Sequence, residues 1–135
     1  MLNEAARTRV KICGITRVED AVCAARAGAD AIGLNFWSGT PRRVSAEQAR
    51  AIAASLPAFV TVVGLFVDPQ PDEVRAALAA VPLDVLQFHG DEPPELCASF
   101  GRPYIKAVPV RPGVDLLQYA RRFDGARALL FDAFR

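Results

Sequence analysis

The chain has 135 residues with 16 Lys and Arg against 15 Asp and Glu, a formal net charge of +1; the length suits one domain, or part of one, over 1–135, and the charge makes no case for nucleic acid or a membrane surface as partner. Hydrophobic content of 52% with 23% charged residues excludes disorder, and the longest apolar run, residues 59–67 interrupted by Thr61, is far too short to span a bilayer. Residues 1–9 lack the apolar core of a signal peptide, and Cys13, Cys23 and Cys97 have no metal-type spacing and cannot all pair, so a reduced, cytoplasmic setting is expected.

Val10, Lys11, Ile12, Cys13 and Ile15 suit a short first strand, and Gly14 lets the chain turn tightly behind the cysteine. Alternation puts Lys11 and Cys13 on one face, Val10 and Ile12 on the other. Thr16 and Glu19 match a capping box, which predicts a helix from about Arg17 with Val18, Ala21, Val22 and Ala25 as its buried stripe. Gly28 stops it. Residues 31–36 read as a second strand, followed by a loop carrying Arg42 and Arg43. Ser45 and Gln48 form a second capping box for a helix with Ala49, Ile52, Ala53 and Leu56 inside.

Residues 59–67 are a near-continuous apolar run, as expected of a strand buried on both faces. Asp68-Pro69 starts a turn, and Val74, Ala77, Leu78 and Val81 predict a third helix. Residues 85–89 form a fourth strand, and Pro93-Pro94 opens a short helix ended by Gly101. A fifth strand over 104–110, a fifth helix over 116–123 and a sixth strand over 128–134 complete the pattern.

Six strands alternating with five helices, in repeats of roughly 20–30 residues, are the scale of βα units. Right-handed crossovers leave an open doubly wound sheet or a (β/α) barrel. The open sheet would carry G-x-G-x-x-G after the first strand, which is absent. Lys11, Asn35, Gln87, His89, Lys106 and Asp132 lie within otherwise apolar strands, and buried polar groups are costly unless partnered. Convergence of all six inside a barrel is the expectation, which favours the barrel and puts the site at its mouth.

Cys13 stands out chemically. An arbitrary cysteine is a small buried hydrophobe, the reading that suits Cys23, but a nearby cation and a helix N-terminus both favour thiolate. Asp132 reads locally as a helix cap, and Arg43 as a solvated loop cation.

The segments Lys11-Ile12-Cys13-Gly14-Ile15-Thr16, Pro41-Arg42-Arg43-Val44-Ser45, Leu86-Gln87-Phe88-His89-Gly90 and Leu129-Leu130-Phe131-Asp132, in this order and spacing, resemble the phosphoribosylanthranilate isomerase family. The resemblance runs from about residue 9 onward. It implies a TIM-type (β/α)8 barrel, here with about six strands and five helices of an incomplete barrel. It also implies conversion of N-(5-phosphoribosyl)anthranilate, the small-molecule phosphoribosyl substrate, into 1-(2-carboxyphenylamino)-1-deoxyribulose 5-phosphate by Amadori rearrangement in tryptophan biosynthesis. By the same resemblance Asp132 is the general acid, Cys13 the general base and Arg42 the residue meeting the anthranilate carboxylate. His89, Lys11 and Gln87 line the substrate site, and no metal or organic cofactor takes part. Leu130 and Phe131 suggest a partly apolar setting for Asp132, which would favour its protonated form.

Two other readings compete. Another phosphosugar barrel enzyme would need metal-binding histidines or a different lysine–glutamate set, and a single histidine excludes the metal version. A non-catalytic barrel fragment would keep the pattern and act only in binding or assembly. In the family, glycine-rich phosphate-binding turns follow strand six. This chain alone is therefore expected to have little activity and to self-associate through the open edges of strands one and six.

Overall fold

Six parallel strands lie in sequence order, each joined to the next by a helical crossover, in a computed structural model that describes residues 7–133. They are β1 (Lys11–Cys13), β2 (Ala31–Asn35), β3 (Thr61–Phe66), β4 (Val85–Phe88), β5 (Tyr104–Val110) and β6 (Ala128–Ala133). The helices are α1 (Val18–Arg26), α2 (Ala46–Ala54), α3 (Pro71–Ala80), α4 (Pro94–Cys97), which continues as a 3-10 turn over Ala98–Phe100, and α5 (Leu116–Arg122). This is the six-stranded part of a TIM-type (β/α)8 barrel. The predicted strand through residue 134 runs beyond the described residues at its last position.

Local signals account for most helix boundaries. At α2 the Ser45 hydroxyl accepts from Gln48 N–H at 3.1 Å while the Gln48 side chain accepts from Ser45 N–H at 2.9 Å, which satisfies two otherwise orphan donors. α3 begins at Pro71, whose fixed φ suits the first helical position. The box predicted at Thr16 and Glu19 is not formed. The chain stays extended through Arg17, so Thr16 lies one residue too early to cap, and Glu19 pairs with Arg17 at 3.2 Å instead.

Register settles the faces. The pairs Lys11–Ala31, Val63–Val85, Gln87–Ile105 and Pro109–Asp132 link one inner face across the whole sheet. It carries Cys13, Gly33, Asn35, Gln87 and Asp132. Ile32, Leu34, Val62, Phe66, Leu86, Phe88 and Tyr104 occupy the other face and are buried against the helices. A row of rings reinforces that layer, with Phe36 stacked on Phe66 at 5.3 Å and Phe88 lying 6.1 Å from Phe66 and 6.0 Å from Phe100.

Lys106 corrects one expectation. It belongs to the helix-facing layer rather than the barrel interior, because Ile105 and Ala107 take the inner positions of β5. Its ammonium is buried against Glu92, at 2.7 Å.

Candidate active site

Cys13 ends β1 on the inner face, and two glycines make room around it. A Cβ on Gly33 would stand 2.9 Å from the Cys13 sulfur, so the neighbouring strand must leave that volume empty for the thiol to lie across it. Gly14 turns with φ +81, and its N–H and that of Ile15 both donate to the Gly33 carbonyl, at 3.0 and 3.2 Å. A Cβ on Gly14 would meet Arg42 Cδ and Nη1 at 2.8 Å. The guanidinium therefore lies over the turn directly after the thiol. Arg43, by contrast, lines a space of about 460 Å3 with Trp37, Ser45, Asp68 and Glu73, between the loops after β2 and β3 and helices α2 and α3.

At the opposite edge Asp132 lies 2.9 Å from His89 Nε2, through Oδ2. The two border a space of about 400 Å3 with Asp91, Ala107, Pro109 and Arg111. The Gln87 amide nitrogen lies 3.4 Å from His89 Nδ1. With Gln87 donating to Nδ1, the ring hydrogen of a neutral imidazole sits on Nε2 and is donated to Asp132, an assignment made from the hydrogen-bond network. Gln87 is 2% exposed and its Oε1 has no partner among the described residues. The Asp132 side chain is 52% exposed on the edge strand β6, with Leu130 on its own face two residues away and Phe131 on the other.

Lys11 stands apart from this mouth. It shares the inner face with Cys13 but begins β1, and it lines a space of about 350 Å3 with Arg9, Asp30, Thr61 and Val63 at the N-terminal ends of the strands. Cys97 is fully buried, and burial pushes its thiol up to about 11, which keeps it protonated and unreactive. Cys23 is exposed on α1. Among the described residues no group of three or more His, Cys, Asp or Glu side chains could hold a metal ion, and no helix is long and apolar enough to cross a membrane.

One cluster escapes sequence reasoning. Glu92 and Asp68 look like ordinary turn residues, yet both carboxylates bond backbone N–H groups at the mouth, and Glu92 is buried. Only the spatial partner, Lys106, gives the burial a reason, and no local spacing links the two.

The family model for N-(5'-phosphoribosyl)anthranilate isomerase matches residues 10–135. Proteins of that name from Halorhodospira halophila and Pseudomonas putida (strain W619) are 55% and 58% identical over 96% and 93% of this chain. The chain spans about three-fifths of the length of the curated relatives it matches. A crystal structure of phosphoribosyl anthranilate isomerase from Thermus thermophilus, 43% identical, superposes with a TM-score of 0.86 over 95% of this chain and 64% of that one. Another, 39% identical with a TM-score of 0.87, covers 95% of this chain and 66% of that one; it is a complex with reduced 1-(o-carboxyphenylamino)-1-deoxyribulose 5-phosphate.

Proposed function

The chain belongs to the N-(5'-phosphoribosyl)anthranilate isomerase family, and from that premise we propose that its protein isomerises N-(5-phosphoribosyl)anthranilate to the open-chain aminodeoxyribulose phosphate in tryptophan biosynthesis. The observation that carries the reading is that Cys13 and Asp132 share one inner face, at the C-terminal end of β1 and near that of β6.

Asp132 protonates the furanose ring oxygen, the C1–O bond breaks and a protonated imine forms. Cys13 as thiolate removes the C2 proton, and the electron pair moves toward the imine nitrogen to give an enolamine. Tautomerisation to the ketone follows, one proton having been delivered and one removed. The protonated imine is itself the electron sink, so the steps need no metal or organic cofactor.

Arg42 binds the anthranilate carboxylate through two parallel N–H donors. Gln87 and His89 line the acid side, and Lys11 adds positive charge below the thiol, one inward position down β1. Residues 1–135 belong to one barrel domain, of which they supply the N-terminal part, in the cytoplasm. Taken alone, the chain associates through the edges of β1 and β6, where Ile12 is 39% and Phe131 60% exposed.

The test follows anthranilate-adduct fluorescence in a version of the protein that turns substrate over. Cys13→Ala and Asp132→Asn should each cut turnover by about 10²–10⁴-fold, the usual contribution of a positioned acid or base. Near-parental turnover for either substitution would remove the assignment. Wholly normal turnover by the 135-residue chain as a monomer would remove the association proposal.

A further inference from the structure

His89 reaches Asp132 from inside the barrel wall, and what fixes His89 lies outside that wall. Gly90, the next residue, has both of its backbone polar groups captured. Its N–H donates to the Glu92 carboxylate, at 3.0 Å to Oε1 and 3.1 Å to Oε2. Its C=O accepts from Lys106 Nζ, which also bonds Glu92 Oε1 at 2.7 Å. The N–H of Gly90 belongs to the same rigid peptide plane as the C=O of His89. Holding that plane, together with the His89 N–H that donates to the Phe66 carbonyl at 2.9 Å, sets the backbone on both sides of the histidine and so the direction of its Cα–Cβ bond.

The clamp extends further. Glu92 Oε2 accepts from Asp68 N–H and Asp68 Oδ1 from Asp91 N–H, each at 2.8 Å, which joins the loop after β3 to the loop after β4. A Cβ on Gly90 would stand 2.7 Å from the Asp68 carboxyl group, so a side chain there would have to displace that carboxyl. Lys106 and Glu92 expose 2% and 0% of their side chains, and the ammonium also lies 5.4 Å from the Phe123 ring centroid. A buried ion pair gains little net stability over an apolar replacement of the same shape. Stability alone is therefore a weak account of its burial.

We infer that the Glu92–Lys106 pair is a positioning pair that acts through Gly90 to hold His89 against Asp132. The inference rests on the proposed role of Asp132 as the acid for its catalytic meaning, but the contact itself is measurable without turnover. Asp91 and Arg111 also border the space around His89 and Asp132, so the readout must isolate the Asp132 contribution.

His89 is the sole histidine of the sequence, and its imidazole 15N signals are unambiguous in the tag-free 135-residue chain, read for every variant at a dilution where light scattering shows a monomer. The quantity to read is the change in the Nε2 signal caused by Asp132→Asn, first in the parent and then in the double variant Glu92→Gln with Lys106→Met. That double variant removes both charges together and leaves no buried charge unpaired. The expected result is a clear Asp132-dependent change in the parent that falls to less than half in the folded double variant. A folded double variant with the full parental change overturns the inference, as does a parent with no such change. If the double variant does not fold, Lys106→Arg, which keeps a buried cation but not its geometry, is read identically: a reduced change supports the inference and a full one overturns it. Turnover of Asp132→Asn separately tests the functional reading. Normal turnover there with a lost NMR response in the clamp variants would leave the positioning pair standing while removing the acid assignment.

Discussion

The side chains around Cys13 and Asp132 differ in what surrounds them, and that decides how substitutions should behave. Arg42 lies over Gly14, beside the thiol, while Arg43 faces a separate space behind the barrel wall. On the proposed contact with the anthranilate carboxylate, Arg42→Ala should weaken substrate binding by about 1.5–3 kcal/mol, the range for a lost charge-assisted hydrogen bond, and should affect KM more than kcat because that group is remote from the bonds that change. Arg43→Ala should be nearly silent. Steady-state kinetics of both variants check this, and equal losses would mean general positive charge rather than a specific clamp. Among the thiols, burial keeps Cys97 protonated, with its pKa pushed up to about 11. Alkylation of the native protein at neutral pH, mapped by peptide mass, should therefore modify exposed Cys23 and leave Cys97 untouched until the chain unfolds.

At the scale of single elements, the start of α2 and the entry to β1 make separable contributions. Ser45→Ala removes the hydroxyl that accepts from Gln48 N–H and should cost about 1 kcal/mol in denaturant unfolding. At the entry to β1, Asp30 accepts from the Arg7 guanidinium and from Val10 N–H, the latter at 2.8 Å. The Arg7 hydrogen bond, then the Val10 N–H, hold the carboxyl at about 2, below its ordinary 3.8. A carboxyl lowered on folding stabilises the fold above its unfolded pKa, and that contribution disappears as pH falls through the folded value. The parent should lose this contribution between about pH 4 and pH 2. Thermal unfolding across that window should show a shallower pH slope for Asp30→Asn, and identical slopes would mean that the contact does not persist in solution.

For the whole molecule, the arrangement of strands matters more than any contact. β1 and β6 each pair on one side only, among the described residues; Ile12 and Phe131 within them are 39% and 60% exposed, and Val10 just before β1 is 44% exposed. Parallel strands are normally covered on both faces and paired on both edges. Light scattering of the isolated 135-residue chain should show association, and Ile12→Lys with Phe131→Lys should reduce it by placing charge on both edges. Cys13 and Asp132 belong to these two edge strands, so whatever completes the barrel also fixes the distance between the proposed base and acid. Misplacement by about 1 Å can cost about 10²-fold in rate, so barrel closure and catalysis should be gained together.

The sequence by itself determined the order and type of the elements, since the helices carry a 3.6-residue stripe and caps such as Ser45–Gln48, and the strands are short apolar runs between turn residues. It also singled out Cys13 and Asp132, through motifs long enough to be specific, and alternation within β1 already paired Cys13 with Lys11 on one face. Only the tertiary structure decided which face of β5 looks inward. Residues 104–110 are apolar on both sides, as a strand buried on both faces must be, so no alternation in the sequence separates Lys106 from the interior polar residues. The same limit hid Glu92, whose partner is 14 residues away, and the meeting of Asp132 with His89, 43 residues apart. Local propensity acts over a few residues, whereas a buried charge is tolerated only where the folded chain brings it a partner.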